Sequence, residues 1–186
     1  IVLTCLAPTG ATKGGSAIYL AASLILFGIS ALYHRFYWSP RWEIVWNRLD
    51  HSNIFLLIAG TYTPLSIAIL PHDQAVTILS IVWGGALRGI LLNLFWPTAP
   101  RWLATLIYVA LGWVALWYLP QFWSLGGAVI VWLLLAGGIL YTIGAVVYAT
   151  KKPDLSPRWF GFHEIFHLCT VLAWACHCVA VYLAVL

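Results

Sequence analysis

The most informative property of this sequence is how little charge it carries. Only 8% of its 186 residues are Asp, Glu, Lys or Arg, and 63% are apolar. Soluble domains carry about a quarter charged residues. Because no water-soluble packing can hide so much apolar surface, the composition predicts an integral membrane protein.

The sequence also lacks methionine and any low-complexity segment. Neither a basic leader nor a small-residue cleavage site precedes the first apolar stretch, so a signal peptide is not expected. Residues 1–7 are apolar but too few to cross a bilayer, and we expect them to be the end of a truncated first helix. The cysteines have no zinc-finger spacing, and we expect small buried side chains at Cys5, Cys169, Cys176 and Cys178.

Uninterrupted apolar length predicts six complete membrane spans. A helix needs about 20 residues to cross about 30 Å of hydrocarbon. The longest uncharged stretch, between Arg101 and Lys151, is long enough for two spans and contains a natural turn at Leu119, Pro120 and Gln121. We therefore predict an all-α, polytopic transmembrane helix bundle in a single domain of residues 1–186, with spans at about 15–36, 49–71, 74–96, 101–119, 124–149 and 163–186.

The positions of lysine and arginine predict the orientation, because short cytoplasmic loops collect these residues. The connections at 35–48, 97–101 and 150–162 share one side of the membrane. They carry Arg35, Arg41, Arg48, Arg101, Lys151, Lys152 and Arg158, whereas the opposite side carries only Lys13. We expect these connections in the cytoplasm and the C-terminus outside, so the net charge of +4 reflects topology and not a nucleic-acid-binding surface.

Four ionisable side chains are expected at one level near the cytoplasmic face. Ionisable groups in spans are costly, so each is a functional candidate. His163 and His167 are four residues apart, which puts both imidazoles on one helix face where they can share a metal ion. His34, at the end of its span, can supply a third nitrogen, and Asp50 opens the next span. The alternative is a set of interfacial polar groups that bind headgroups and helix ends without any metal.

Three histidine nitrogens leave a fourth tetrahedral position for water, which is typical of catalytic zinc. Zinc lowers the pKa of a bound water toward about 7 and polarises a substrate carbonyl. Asp50 is then the candidate to orient this water and accept its proton. Ser30 lies on the face of His34 one turn deeper, where its hydroxyl can bond the developing oxyanion or simply pack between helices.

Two further histidines, His51 and His177, are not expected to bind the metal ion. His51 points about 100° round the helix from Asp50, and we expect it to contact a headgroup or a loop. His177 lies about 15 Å deeper than His167, too far to join the same metal. We expect His177 to form an interhelical hydrogen bond.

The pentapeptide His163-Glu164-Ile165-Phe166-His167 also matches H-E-x-x-H, in which the glutamate is the general base of a metalloprotease. Asp50 would be a distant third ligand, as in intramembrane proteases similar to the site-2 class. A match of five residues is weak evidence, so the intramembrane metalloprotease is the weaker alternative.

Several segments, taken in their order along the chain, resemble those of the bacterial hemolysin III family. That family belongs with the progestin and adiponectin receptors, which are seven-helix proteins related to alkaline ceramidases. The segments are Ser30-Ala31-Leu32-Tyr33-His34, Leu49-Asp50-His51, Leu56-Leu57-Ile58-Ala59-Gly60-Thr61-Tyr62-Thr63-Pro64 and His163-Glu164-Ile165-Phe166-His167.

The resemblance implies zinc held by His34, His163 and His167 in a bacterial plasma membrane protein, with Asp50 holding the zinc-bound water and Ser30 beside it. The residue matching Glu164 varies in that family, which argues against its being an obligatory base.

Three functions remain compatible with these residues. The first is a zinc-dependent, ceramidase-like hydrolase that cleaves amide bonds of membrane lipids. The second is a non-enzymatic membrane sensor or regulator of lipid homeostasis, in which the metal fixes helix positions. The third is the cytolysin that the family name suggests, although a chain that is apolar throughout is poorly suited to switch between soluble and inserted forms.

Overall fold

The computed structural model describes residues 1–96, 100–156 and 159–186, apart from the side chain of Arg101. Arg158, one of the cationic residues used to predict the orientation, lies outside the described residues. Six helices in the described part are long and apolar enough to cross a membrane. No strand occurs among these residues beyond an isolated bridge between Ser156 and Phe160. The predicted all-α, polytopic helical architecture is confirmed.

The chain divides into two compact units. Unit 1 comprises residues 1–100 with 185–186, and unit 2 comprises residues 101–184. The helices that begin in unit 1 are α1 Val2–Leu6, α2 Gly10–Arg35, α3 Pro40–Ile69 and α4 His72–Phe95. The first helix of unit 2, α5, consists of four consecutive segments. These are an α-helix (Arg101–Gly112), a 3-10 helix (Trp113–Tyr118), an α turn (Leu119–Gln121) and a π turn (Phe122–Gly126). Unit 2 continues with α6 Ala128–Thr150 and α7 Phe162–Val185. The single-domain organisation stays a prediction.

Helices α2 and α3 start earlier than apolar length predicts. The side chain of Thr9 accepts a hydrogen bond from the backbone N–H of Thr12, and the side chain of Thr12 accepts one from the backbone N–H of Thr9, so α2 begins at Gly10 instead of near 15. Pro40 occupies the first turn of α3, where its missing N–H has no intrahelical acceptor to lose. The predicted span start near 49 was derived from the thickness of the hydrocarbon core, whereas the helical hydrogen bonds of α3 begin earlier in the chain, at Pro40.

In unit 1, two glycines of α2 and α3 allow close packing. A Cβ at Gly60 would lie 2.6 Å from the Cβ of Ala22, and a Cβ at Gly15 would lie 3.1 Å from the Cα of Pro64. Both contacts join α2 to α3. These two helices are therefore antiparallel and closely packed, as small residues at interhelical contacts permit.

The predicted turn at Leu119, Pro120 and Gln121 is wrong, because these residues remain helical. Pro120 lies in the first turn of a short α segment that follows a 3-10 stretch, so its missing N–H does not interrupt a regular α-helical ladder. The turn comes instead at Gly127, whose φ of +88° is readily adopted only by glycine. Helix α5 therefore extends to Gly126.

In unit 2, α6 and α7 pack through small residues and one buried polar contact. A Cβ at Gly144 would lie 3.0 Å from the Cβ of Cys169, and one at Gly137 would meet the ring of His177. The Nε2 atom of His177 lies 3.2 Å from the carbonyl oxygen of Leu134. The predicted interhelical hydrogen bond of His177 is confirmed.

Candidate metal centre

The first part of the candidate site lies in unit 1, where α2 ends and α3 passes beside it. His34 is in the last turn of α2, and its Nε2 atom is 3.8 Å from the Oδ2 atom of Asp50 on α3. The Asp50 side chain is 13% exposed and that of His34 36%. The hydroxyl of Ser30, one turn before His34, also lies near the Asp50 carboxylate. Unit 1 thus gathers a carboxylate, an imidazole and a hydroxyl.

Contacts between the end of α2, the start of α3 and the connection between them hold this arrangement in place. The side-chain amide of Asn47 donates a hydrogen bond to the hydroxyl of Tyr33 at 3.0 Å, and Tyr33 directly precedes His34 in the sequence. Trp38 in the connection donates its indole N–H to the carbonyl of Leu32 and stacks against Trp46, with ring centroids 4.8 Å apart. These contacts fix the register of α2 against α3, and the register sets the distance from His34 to Asp50.

His51 has an identifiable partner in its own helix. Its Nδ1 atom lies 2.7 Å from the carbonyl oxygen of Asn47, one turn earlier in α3. The sequence predicted a headgroup or loop contact for this ring. A side chain four residues after a helix carbonyl lies on the same helix face and can reach it, and the sequence interpretation did not consider this acceptor.

The second part of the candidate site lies in the first two turns of α7. His163 and His167 have their Nε2 atoms 3.0 Å apart and their ring centroids 4.6 Å apart. Two nitrogens bound to one tetrahedral zinc at about 2.05 Å are separated by about 3.3 Å. The ring nitrogens are thus within a few tenths of an ångström of the spacing that a shared zinc ion requires.

The glutamate between these histidines serves the helix end. Glu164 accepts a hydrogen bond through Oε2 from the backbone N–H of Gly161 at 2.9 Å. Its side chain is exposed. This arrangement, in which the third helical residue bonds the N-cap backbone, is half of a capping box. The carboxylate that a metalloprotease would use as a base is therefore occupied in helix capping.

The donor set fits zinc in chemical type. Imidazole nitrogens are common zinc ligands, and a nearby carboxylate is a common partner for a water at such a site. The structure brings His163 close to His167 in unit 2, and His34 close to Asp50 and Ser30 in unit 1. That the three histidines hold one ion, and that the ion is zinc, stays a prediction.

Four residues with positioning contacts were missed by the sequence interpretation: Tyr33, Asn47, Asp154 and Gly161. Tyr33 and Asn47 are polar residues of a type common at membrane surfaces, and they gave no distinct signal. Gly161 stands directly before α7, at the N-cap position, which was a usable signal for this residue. Asp154 stands eight residues before Phe162, too far from the helix for capping patterns to indicate it.

The family model described as "Haemolysin-III related" matches residues 1–178. The chain is 35% identical over 166 residues to Hemolysin-3 of Bacillus cereus, covering 85% of this chain and 72% of that protein. It is 38% identical over 147 residues to the Hemolysin-3 homolog of Bacillus subtilis, covering 78% and 68%.

A more distant similarity joins the chain to Progestin and adipoQ receptor-like protein 1 of Caenorhabditis elegans, with 25% identity over 175 residues, 84% of this chain and 40% of that protein. The family match includes all five candidate site residues, from Ser30 to His167.

Proposed function

Because this integral membrane protein belongs to the hemolysin III family, we propose that it binds zinc through His34, His163 and His167 and hydrolyses amide bonds of membrane lipids. The observation that carries the proposal is the 3.0 Å separation of the His163 and His167 ring nitrogens. Two imidazole nitrogens so close together in the first turns of a spanning helix are well suited to share a cation.

Zinc, when bound, would supply a Lewis acid that polarises a carbonyl and lowers the pKa of a coordinated water. The remaining roles belong to side chains of unit 1. Asp50 accepts the proton of the attacking water and passes it to the leaving amine nitrogen, because its carboxylate is shielded and lies beside an imidazole. Ser30 donates its hydroxyl hydrogen to the oxygen of the substrate carbonyl as negative charge develops there.

The proposed substrate follows from the proposed orientation. The excess of lysine and arginine in and beside the connections after α2, α4 and α6, including the adjoining helix ends, supports a cytoplasmic position for those ends and an exterior C-terminus. His34 lies in the last turn of α2 and His163 in the first turn of α7, and the proposed orientation assigns both helix ends to the cytoplasmic face. A lipid whose amide lies just below the headgroup can enter sideways from the bilayer.

A non-enzymatic membrane sensor is the second candidate function. It is favoured by the similarity to a nematode protein named as a receptor-like protein. In this alternative the metal joins helices without turnover, and Asp50 and Ser30 have no chemical role. The two functions therefore differ in what loss of Asp50 does to a protein that still holds its metal.

The experiment that tests the zinc proposal is elemental analysis of the purified chain and of matched histidine variants. We expect about one zinc ion per chain, which is lost in His34→Ala and in His163→Ala. His72→Ala is the control, because His72 is an exposed histidine at the start of α4. Unchanged zinc content in both ligand variants would contradict the proposal.

Hydrolysis is tested by mass spectrometry of fatty acid released from N-acylated lipids in detergent or vesicles. We expect turnover by the zinc-loaded chain, and its loss in Asp50→Ala with the zinc content unchanged. Zinc binding without turnover of any lipid amide would favour the sensor.

A further inference from the structure

Two carboxylate side chains contact the backbone at the start of α7. The Oδ1 atom of Asp154 accepts a hydrogen bond from the backbone N–H of Phe162 at 3.1 Å. Glu164 accepts one from the N–H of Gly161 at 2.9 Å. The first N–H groups of a helix have no intrahelical acceptor. Two carboxylates therefore satisfy two consecutive backbone donors immediately before His163.

Gly161 leaves the space that this arrangement needs. A Cβ at this position would lie 2.6 Å from the Oδ1 atom of Asp154 and 3.3 Å from the Oε2 atom of Glu164. The shorter distance is far below an ordinary van der Waals contact, so a side chain at 161 would displace the Asp154 carboxylate. The glycine is required here by a close approach of polar atoms to the backbone.

The two carboxylates differ in what they connect. Glu164 belongs to α7 and caps its own helix. Asp154 is eight residues before its partner Phe162, so its hydrogen bond closes a loop and attaches the connecting segment to the helix. In the same segment, the N–H groups of Trp159 and Phe160 both donate to the carbonyl of Ser156. The Asp154 side chain thus joins this segment to the backbone of α7.

The position of the His163 ring depends on this first turn. His163 follows Phe162 directly, whereas His167 is one turn further into the helix. The first turn of a helix frays when its donors are unsatisfied. Fraying here would move the ring of His163 and leave His167 in place, which would separate the two nitrogens that lie 3.0 Å apart.

We propose that Asp154 is a positioning residue for the metal centre: by accepting the N–H of Phe162 it holds the ring of His163 at the distance from His167 that one ion requires. The inference rests on the proposed zinc site. The role belongs to the acceptor oxygen of Asp154 and not to its charge, because an asparagine side chain offers the same oxygen at the same position.

The test compares the full chain with Asp154→Ala, Asp154→Asn and Gly161→Ala. Zinc affinity is measured by competition with a chelator, and the electronic absorption spectrum of the cobalt-substituted protein reports the ligand geometry. We expect Asp154→Ala to weaken zinc binding at least about tenfold, the lower end for loss of a group that orients a ligand, and to change the cobalt spectrum. Asp154→Asn should restore both, and Gly161→Ala should reproduce the effect of Asp154→Ala.

Asp73→Ala is the matched control, since Asp73 is a carboxylate in the first turn of α4. It should leave affinity and spectrum unchanged. Because Gly161→Ala keeps the Asp154 side chain and adds one methyl group, it tests the inference even if Asp154→Ala does not fold.

The outcomes separate the two proposals. A wild-type chain that binds no zinc would contradict the proposed zinc site itself. A wild-type chain that binds zinc, together with unchanged affinity and cobalt spectrum in both Asp154→Ala and Gly161→Ala, would contradict the positioning role alone. An asparagine variant no better than alanine would also contradict it, because the acceptor oxygen would then be insufficient.

Discussion

His163 and His167 show how sequence spacing becomes chemical geometry at the scale of single residues. A separation of four in a helix places two side chains on one face, and the structure brings their Nε2 atoms to 3.0 Å. This local arrangement was predictable because it needs only helix geometry. The 3.8 Å approach of His34 to Asp50 needs two helices and a connection, so its distance could not be read from the sequence.

The first prediction at this scale concerns Asp50. Replacing the carboxylate with an amide in Asp50→Asn removes the proton acceptor while preserving shape and hydrogen-bonding capacity. We expect hydrolysis of a lipid amide to fall by about 10²–10⁴-fold, with zinc content unchanged. Parallel measurement of turnover and bound metal checks this, and full activity in the asparagine variant would exclude Asp50 as the base.

The second prediction concerns Glu164. The variant Glu164→Gln retains a side-chain oxygen that can accept the N–H of Gly161. We therefore expect zinc content and lipid hydrolysis to stay within about twofold of wild type, because a capping role tolerates this exchange. An intramembrane metalloprotease would instead lose nearly all activity, since its general base would be gone. Activity assays on this single variant distinguish the two.

The role of Glu164 also shows where sequence interpretation stops. The match to H-E-x-x-H is literal, and the same five residues are compatible with a protease base or with a helix cap. The choice depends on Gly161 and on the connection that carries Asp154 back to α7. The hydrogen bond between Asp154 and Phe162 joins residues eight positions apart, which no periodicity in the sequence specifies.

At the scale of helices, apolar length predicted six spans, and the described residues include six candidate helices, several of which begin or end beyond the predicted span limits. Caps and glycines set the ends: Thr9 begins α2, Pro40 begins α3, and Gly127 separates α5 from α6. Pro120 was predicted to end a helix, but the helix continues, because the 3-10 and π segments around Pro120 change the hydrogen-bond pattern where its N–H is missing. Helix ends are decided by local polar geometry, whereas hydrophobicity decides which segments cross the bilayer.

A third prediction tests packing between α3 and α4. A Cβ at Gly89 would meet the fully buried ring of Phe55, whereas a Cβ at Gly84 of the same helix meets nothing within 4 Å. We expect Gly89→Ala to destabilise the protein by about 1–3 kcal/mol through overpacking. Thermal unfolding in detergent measures this.

Gly84→Ala is the control for the same helix. It should be neutral or slightly stabilising, because alanine favours helix over glycine by about 1 kcal/mol. Equal unfolding temperatures for the two variants would show that the Phe55 ring can move aside, and would contradict the packing account.

At the scale of the whole molecule, the protein is a membrane-embedded helical bundle for which we propose an orientation. The family and the six candidate spans are established, and the cytoplasmic position of the candidate site rests on the distribution of Lys and Arg. Composition was sufficient to predict the membrane class. It could not identify a substrate, because lipid amides differ in groups that the spacing of ligands does not constrain.

The fourth prediction tests that orientation. We expect a reporter enzyme that is active only outside the cytoplasm to be active when fused after Leu186, and inactive when fused in the connection between α2 and α3. A cytoplasm-dependent fluorescent reporter should give the opposite pattern at both positions. Fluorescence from the C-terminal fusion would reverse the proposed topology and place the candidate site on the exterior side.

X-ray absorption spectroscopy at the zinc edge on the purified chain determines whether three histidines bind one zinc ion. We expect about one zinc ion per chain with three imidazole nitrogens at about 2.0–2.1 Å and one further light-atom ligand. In His167→Ala the imidazole contribution should fall or the zinc should be lost. A wild-type chain without zinc, or with zinc bound by sulfur and no imidazole, would contradict the account.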